Sequence, residues 1–135
     1  MSFYDVDSWS RQTSARHVLM VFDSCFSGSL FETMALPENP PRNDFDNVRT
    51  LLRKPMRYHI TAGRQNEEVA ADSTFVTLLL RGLRGGADKY DEGIVSAEEL
   101  GSYLYHEVPK YSPRPQTPQF RSIGNAMLSE GQFFS

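Results

Sequence analysis

The 135-residue sequence predicts an α/β domain, because segments typical of buried strands alternate with segments typical of amphipathic helices. The first strand is predicted over residues 17–23, where five consecutive apolar residues are bounded by charged ones. The second is predicted over residues 57–62 and is closed by Gly63. A run like the first, apolar on both sides, is typical of a central strand in a parallel sheet. Two strands and a short tail are few for such a sheet, so we expect part of it to lie outside this chain.

Three helices are predicted from apolar residues at spacings of three and four. They cover residues 44–53, a segment from a cap at Asp72 or Ser73 to Gly85, and a segment from Ser96 to about Glu107. Ser96 and Glu99 form a capping box for the third helix, and Pro109 is expected to end it. Residues 1–16 are polar and show no clear periodicity, so no element is predicted there.

The bulk composition excludes several classes of function. The chain is 39% hydrophobic and 23% charged, and its net charge of −3 gives no basic stripe, so nucleic acid is not an expected partner. No apolar run approaches the roughly 20 residues that span a bilayer, so no membrane association is expected. The first residues lack the apolar core of a secretion signal. One cysteine permits no internal disulfide and fits a reducing compartment, so we expect a cytoplasmic protein.

Cys25 is the first candidate for chemistry, because it follows the first predicted strand inside the motif Asp23-Ser24-Cys25-Phe26-Ser27-Gly28. Ligands of open α/β sheets bind at the carboxyl ends of the strands. A thiol placed there beside free backbone N–H groups can attack a carbonyl carbon. A lone cysteine is more often a packed structural residue, which is the alternative for Cys25. The chain contains neither a G-x-S-x-G elbow nor a C-x-x-C pair, so serine hydrolase and dithiol chemistry fit poorly.

The motif at residues 23–28 resembles the nucleophile motif of caspase-like cysteine peptidases, in the D-x-C-x-S-G form of their bacterial and metacaspase branch. The later segments follow a similar order: residues 60–63 with Glu67, the helix at 75–85, residues 93–100, residues 116–120 and residues 131–134. The resemblance covers roughly residues 15–135. It implies a caspase-like (caspase–hemoglobinase) three-layer sandwich with a mostly parallel sheet, truncated at its N-terminal side. Residues 1–135 would form one partial domain, with a flexible loop at about 33–43 and a core at 55–135.

The resemblance also implies an activity. Cys25 would be the nucleophile of a Cys–His dyad that hydrolyses peptide bonds. Asp23, Ser24 and Glu67 would bind the substrate, with Asp23 in an acidic pocket for a basic side chain. Cleavage would then follow Arg or Lys. The alternative for Asp23 is that it caps the turn through the N–H groups of residues 24–26.

The catalytic histidine has no obvious source in this sequence. In caspases it lies about 50 residues before the cysteine, but only 24 residues precede Cys25. His17, His59 and His106 are interpreted as ordinary histidines. We therefore expect the histidine to come from a segment absent from this chain, so the expected partners are the missing N-terminal half, or further copies of the chain, and a peptide or protein substrate. The alternative is a catalytically inactive caspase-like fragment that acts as a binding or regulatory module.

Residues 88–99 match a calcium-binding EF-hand loop at several positions, with Asp88, Glu92 and Glu99 as candidate ligands. Tyr90 occupies the third position, where an oxygen ligand is expected. The preferred interpretation is a helix–turn–helix with a capping box. No cofactor is therefore expected, and calcium is the alternative.

Overall fold

The structure is a computed structural model that describes residues 3–25, 45–64, 67–69, 74–122 and 133–134. Its α-helices are α1 (Phe3–Gln12), α2 (Phe45–Leu52), α3 (Thr74–Arg81) and α4 (Ala97–Tyr111). Its strands are β1 (His17–Cys25), β2 (Met56–Gly63), β3 (Val95–Ser96), β4 (Gln119–Ser122) and β5 (Phe133–Phe134). A wide helical turn, Gly82–Gly86, follows α3. The predicted cap of α3 at Asp72 or Ser73 and the predicted flexible loop at 33–43 lie outside the described residues.

The main sheet has the strand order β1-β2-β4, and β3 pairs with β5 in a separate two-stranded ladder. β1 and β2 are parallel, as predicted, and α2 lies in the connection between them. β4 runs antiparallel to β2, because the chain returns to the sheet at the carboxyl end of β2 and needs no crossover. The described residues therefore form a mixed α/β domain, and its sheet is mixed where a mostly parallel one was predicted.

The central strand is β2 and not β1. All eight residues of β2 are buried, whereas β1 is the outer strand of the described sheet and its Val21 is 38% exposed. The prediction of a β1 buried on both faces is therefore wrong for this part of the chain. An outer strand has a neighbour on one side only, so its apolar run is covered less completely.

One face of β2 builds the main hydrophobic core. Its alternate residues Met56, Tyr58, Ile60 and Ala62 belong to the buried cluster formed with α3 and α4. The helices contribute the following buried side chains: Phe75, Leu78, Leu79, Leu100, Leu104 and Val108. Tyr58 also stacks on Phe120 of β4 with ring centroids 4.9 Å apart, which joins the two strands through their side chains.

The other face of β2 presents the polar residues Arg57, His59 and Thr61, which are also buried. Arg57 reaches α1, where its Nε donates a 3.0 Å hydrogen bond to the carbonyl of Ser10. Because neighbouring strand residues point to opposite faces, Arg57 links α1 to the face of β2 that is opposite α3 and α4.

The helix α1 was not predicted, and α4 is longer than predicted. Within α1, Ser10 is fully buried while Trp9 is 53% exposed, so the segment offers no simple apolar stripe to detect. In α4 the predicted cap is confirmed, because the Ser96 hydroxyl accepts a hydrogen bond from the Glu99 N–H. Pro109 does not end the helix, because the Ser112 N–H continues the ladder to the Val108 carbonyl at 2.9 Å.

None of the helices in the described ranges is long and apolar enough to cross a membrane.

Candidate functional site

The carboxyl ends of β1 and β2 meet at one edge of the sheet. Cys25 is the last residue of β1, whereas the prediction placed it just past the end of the strand. It is in register with Gly63, the last residue of β2. The register shifts between Phe22 and Cys25, so β1 is irregular where the motif begins. Asp23 lies within this irregular stretch and is exposed. The rest of the motif and the side chains of Ser24 and Cys25 lie outside the described part of the chain.

Glu67 follows β2 at the same edge, and backbone and side-chain donors surround its carboxylate. Its Oε2 accepts hydrogen bonds from the Arg64 N–H at 2.8 Å and from the Thr117 N–H at 2.7 Å. Its Oε1 accepts the Thr117 hydroxyl at 3.0 Å. The side chain is half-buried. The predicted substrate-binding carboxylate therefore joins two segments of the protein.

The second of these segments is the proline-rich stretch 112–118, which enters β4. Gln119, the first residue of β4, is in register with Thr61 of β2, so this stretch arrives at the edge that holds Cys25. The buried Gln116 amide donates to the Ala62 carbonyl at 3.0 Å. Gln116 and Thr117 are residues of the site that sequence reasoning did not assign to it. The sequence feature that could have indicated their role is a pair of adjacent polar residues within a proline-rich stretch that cannot form a helix.

The three histidines do not gather at this edge. His59 is four residues before Gly63 on β2, roughly 13 Å back along the strand. His17 begins β1, roughly 26 Å from Cys25 by the same rise, and its Nε2 lies 3.1 Å from the Lys54 carbonyl. His106 is on α4, where its Nδ1 lies 2.8 Å from the Ser102 carbonyl.

The acidic stretch 88–99 lies between the turn after α3 and the first turn of α4. The carboxylate of Asp88 accepts the N–H groups of Glu92 at 3.0 Å and Gly93 at 2.7 Å, so it closes its own loop. The carboxyl of Glu99 accepts the Lys89 N–H, which fastens this loop to α4. Within the residues described, no group of three His, Cys, Asp or Glu side chains is arranged to hold a metal ion.

A cleft of about 240 Å³ opens between this loop and α4. Its wall includes Lys89, Glu99, Tyr103, His106 and Lys110. Glu99 is buried, and its pKa is raised to about 7, with the loss of water as the largest cause. The nearby charges of Asp88 and Glu92 contribute to this rise, while the hydrogen bonds from Lys89 and Ser96 oppose it.

The raised pKa of Glu99 predicts a pH-dependent stability. Between pH 4.5 and about 7 the carboxyl is protonated in the folded chain and ionised in the unfolded chain. The folded state then binds more protons, so its stability falls as the pH rises through this window and levels off above it. Glu99→Gln removes this loss and flattens the curve by roughly 3 kcal/mol across the window. Urea denaturation from pH 4.5 to 8 measures it.

Glu98→Gln is the matched control, because Glu98 is the half-buried neighbour on the same helix turn. It should leave the wild-type slope in place. An equal slope in the Glu99→Gln variant would contradict the assignment.

In comparisons with known proteins, no family model, curated protein or solved structure matches this chain.

Proposed function

We propose that this chain is the cysteine-bearing part of a caspase-like cysteine endopeptidase domain, with Cys25 as nucleophile and cleavage after Arg or Lys. The observation that supports this most is the position of Cys25 at the carboxyl end of β1, beside the carboxyl end of the parallel strand β2. Substrates of α/β sheets bind outside this edge. The parallel pairing of β1 with β2 and the order of the motifs along the sequence also support the proposal.

The proposed chemistry is acyl transfer through a thioester. A histidine takes the Cys25 proton, the thiolate attacks the substrate carbonyl carbon, and the C–N bond breaks as the proton passes to the leaving amine. Water then hydrolyses the thioester, which releases the acid and restores the thiol. The backbone N–H of Cys25 is the proposed donor to the oxyanion.

We propose that the histidine comes from a segment that is not in this chain. His59 and His17 lie roughly 13 and 26 Å from the last residues of their strands, and His106 is bonded within α4. β1 is the outer strand of the described sheet, so a partner that pairs with it would stand beside Cys25. A missing N-terminal half of the domain fits this position best, and a second copy of the chain is the other candidate.

Asp23 is the proposed recognition group for the basic side chain. It is exposed at the same edge, two residues before Cys25. A guanidinium or ammonium ion held by a carboxylate gains a charge-assisted hydrogen bond of about 1.5–3 kcal/mol, which corresponds to roughly 10- to 100-fold in affinity.

The test uses peptidyl chloromethyl ketones that end in Arg or in Asp, because these react with a recognised thiol without any need for turnover. The Cys25 sulfur forms a thioether, chloride leaves and the thiol proton passes to solvent. We expect the arginine ketone to label the chain roughly 10- to 100-fold faster than the aspartate ketone, with Asp23→Ala removing the preference. Mass spectrometry of the labelled peptide measures it.

Cys25→Ala is the control and should abolish labelling by both ketones. Equal rates with the two ketones would overturn the specificity. Equal and slow labelling, no faster than a free thiol, would favour the alternative of an inactive fragment that acts as a binding module.

A further inference from the structure

We infer that Glu67 is a positioning residue, which fastens the residues that follow β2 to the segment before β4 and so holds both at the sheet edge that carries Cys25. It would not contact the basic substrate side chain itself. This inference rests on the proposed function for the role of this edge in substrate binding, but the fastening can be measured without it.

The hydrogen bonds to Glu67 already use most of the acceptor sites of its carboxylate. An ionised carboxylate offers about four lone-pair sites. Three hydrogen bonds are made to Arg64 and Thr117, two of them with backbone N–H groups. Hydrogen bonds of this charge-assisted kind are roughly twice as strong as neutral ones. A substrate guanidinium would have to displace these donors before it could pair with Glu67.

The two segments that Glu67 joins frame the edge of the sheet. Arg64 directly follows Gly63, the residue in register with Cys25. Thr117 lies 50 residues after Glu67, and the neighbouring Gln116 donates a hydrogen bond to the Ala62 carbonyl. The carboxylate thus closes a long loop at the place where substrate would enter. Loss of this closure would leave residue 117 without its fastening to Glu67, while Gln116 and β4 still hold the stretch to β2.

The neighbouring acid does not share this role. Glu68 is exposed and forms an ion pair with Arg114, which is exposed as well. Solvent screens a pair of this kind, and such pairs contribute little. Glu68 therefore provides a matched control, with the same chemistry at the adjacent position but without the hydrogen bonds to Arg64 and Thr117.

The experiment separates position from charge by comparing Glu67→Gln with Glu67→Ala in the full 135-residue chain. In the glutamine variant the amide oxygen can still accept the two N–H groups, and the amide nitrogen can donate to the Thr117 hydroxyl. Glutamine thus keeps the fastening and loses the charge, whereas alanine loses both. The readouts are amide hydrogen exchange at Thr117 and the apparent binding constant of the arginine chloromethyl ketone.

We expect Glu67→Ala to speed exchange at Thr117 and to weaken ketone binding, each by roughly 10- to 100-fold. The control Glu68→Gln should stay close to wild type in both, and Glu67→Gln should show a much smaller change than Glu67→Ala, because its neutral hydrogen bonds are weaker but keep the same partners. Reaction of Cys25 with iodoacetamide should be the same in all variants, because this small reagent does not depend on the position of the proline-rich stretch.

Two outcomes would overturn the inference. If Glu67→Gln weakens ketone binding as much as Glu67→Ala while Thr117 stays protected, the charge itself contacts the substrate. If Glu67→Ala leaves exchange at Thr117 unchanged, the fastening does not exist. A chain in which exchange follows the expectation but neither ketone reacts faster than iodoacetamide would support the fastening and overturn the proposed peptidase.

Discussion

Truncation of Leu78 to alanine is expected to lower the free energy of unfolding by about 2–5 kcal/mol. Leu78 lies on α3 and is only 3% exposed, in the cluster that packs this helix against α4 and one face of β2. The variant loses the transfer free energy of the removed methyl groups and leaves a cavity that the surrounding side chains fill only in part. Urea denaturation followed by far-ultraviolet circular dichroism measures the loss.

Leu80→Ala is the control on the same helix. Leu80 is 44% exposed, so its truncation should change the free energy of unfolding by less than about 0.5 kcal/mol. Similar losses in the two variants would contradict the assignment of this helix face to the core.

Replacement of Arg57 by alanine is expected to destabilise the chain by about 2–3 kcal/mol. Arg57 is buried, and its guanidinium donates to the carbonyls of Ser10, Arg16 and Met56 at 2.7–3.0 Å. The alanine variant leaves these acceptors without the cation that ties α1 and the start of β1 to the sheet. Thermal and urea denaturation measure the change, and proteolysis near residue 12 reports whether α1 detaches.

Arg57→Lys should recover only part of this stability, because one ammonium group cannot reproduce a planar fork that serves several carbonyls. Arg53→Ala is the control, since Arg53 is exposed in the turn after α2. If Arg57→Ala lowered the free energy of unfolding no more than Arg53→Ala does, the hydrogen bonds of the Arg57 guanidinium would make no net contribution to stability.

Local patterns in the sequence determined the elements of the sheet and most of the helices. The apolar run at 17–23 and the segment 57–62 are parallel strands, as predicted. The helix α4 begins after Ser96, because the Ser96 hydroxyl accepts a hydrogen bond from the N–H of Glu99 three residues later. These features depend on residues within a few positions of one another. They also placed Cys25 at the carboxyl end of a strand before any tertiary contact was known.

Contacts between distant residues decided the rest. β2 is the central strand because β1 pairs with one side of it and β4 with the other. Its polar residue Arg57 can be buried because its acceptors, the carbonyls of Arg16 and Ser10, come from 41 and 47 residues away. From the sequence, the carboxylate of Glu67 was predicted to bind substrate. In the structure it accepts a hydrogen bond from the Thr117 N–H, 50 residues away, which no local pattern could indicate. A periodic pattern records which face of an element is buried, but not which partner covers it. The sequence alone therefore determined β1, β2, three of the helices and the position of Cys25 at the end of a strand. The tertiary structure alone decided the direction of β4, the order of the strands and the hydrogen-bond partners of Arg57 and Glu67.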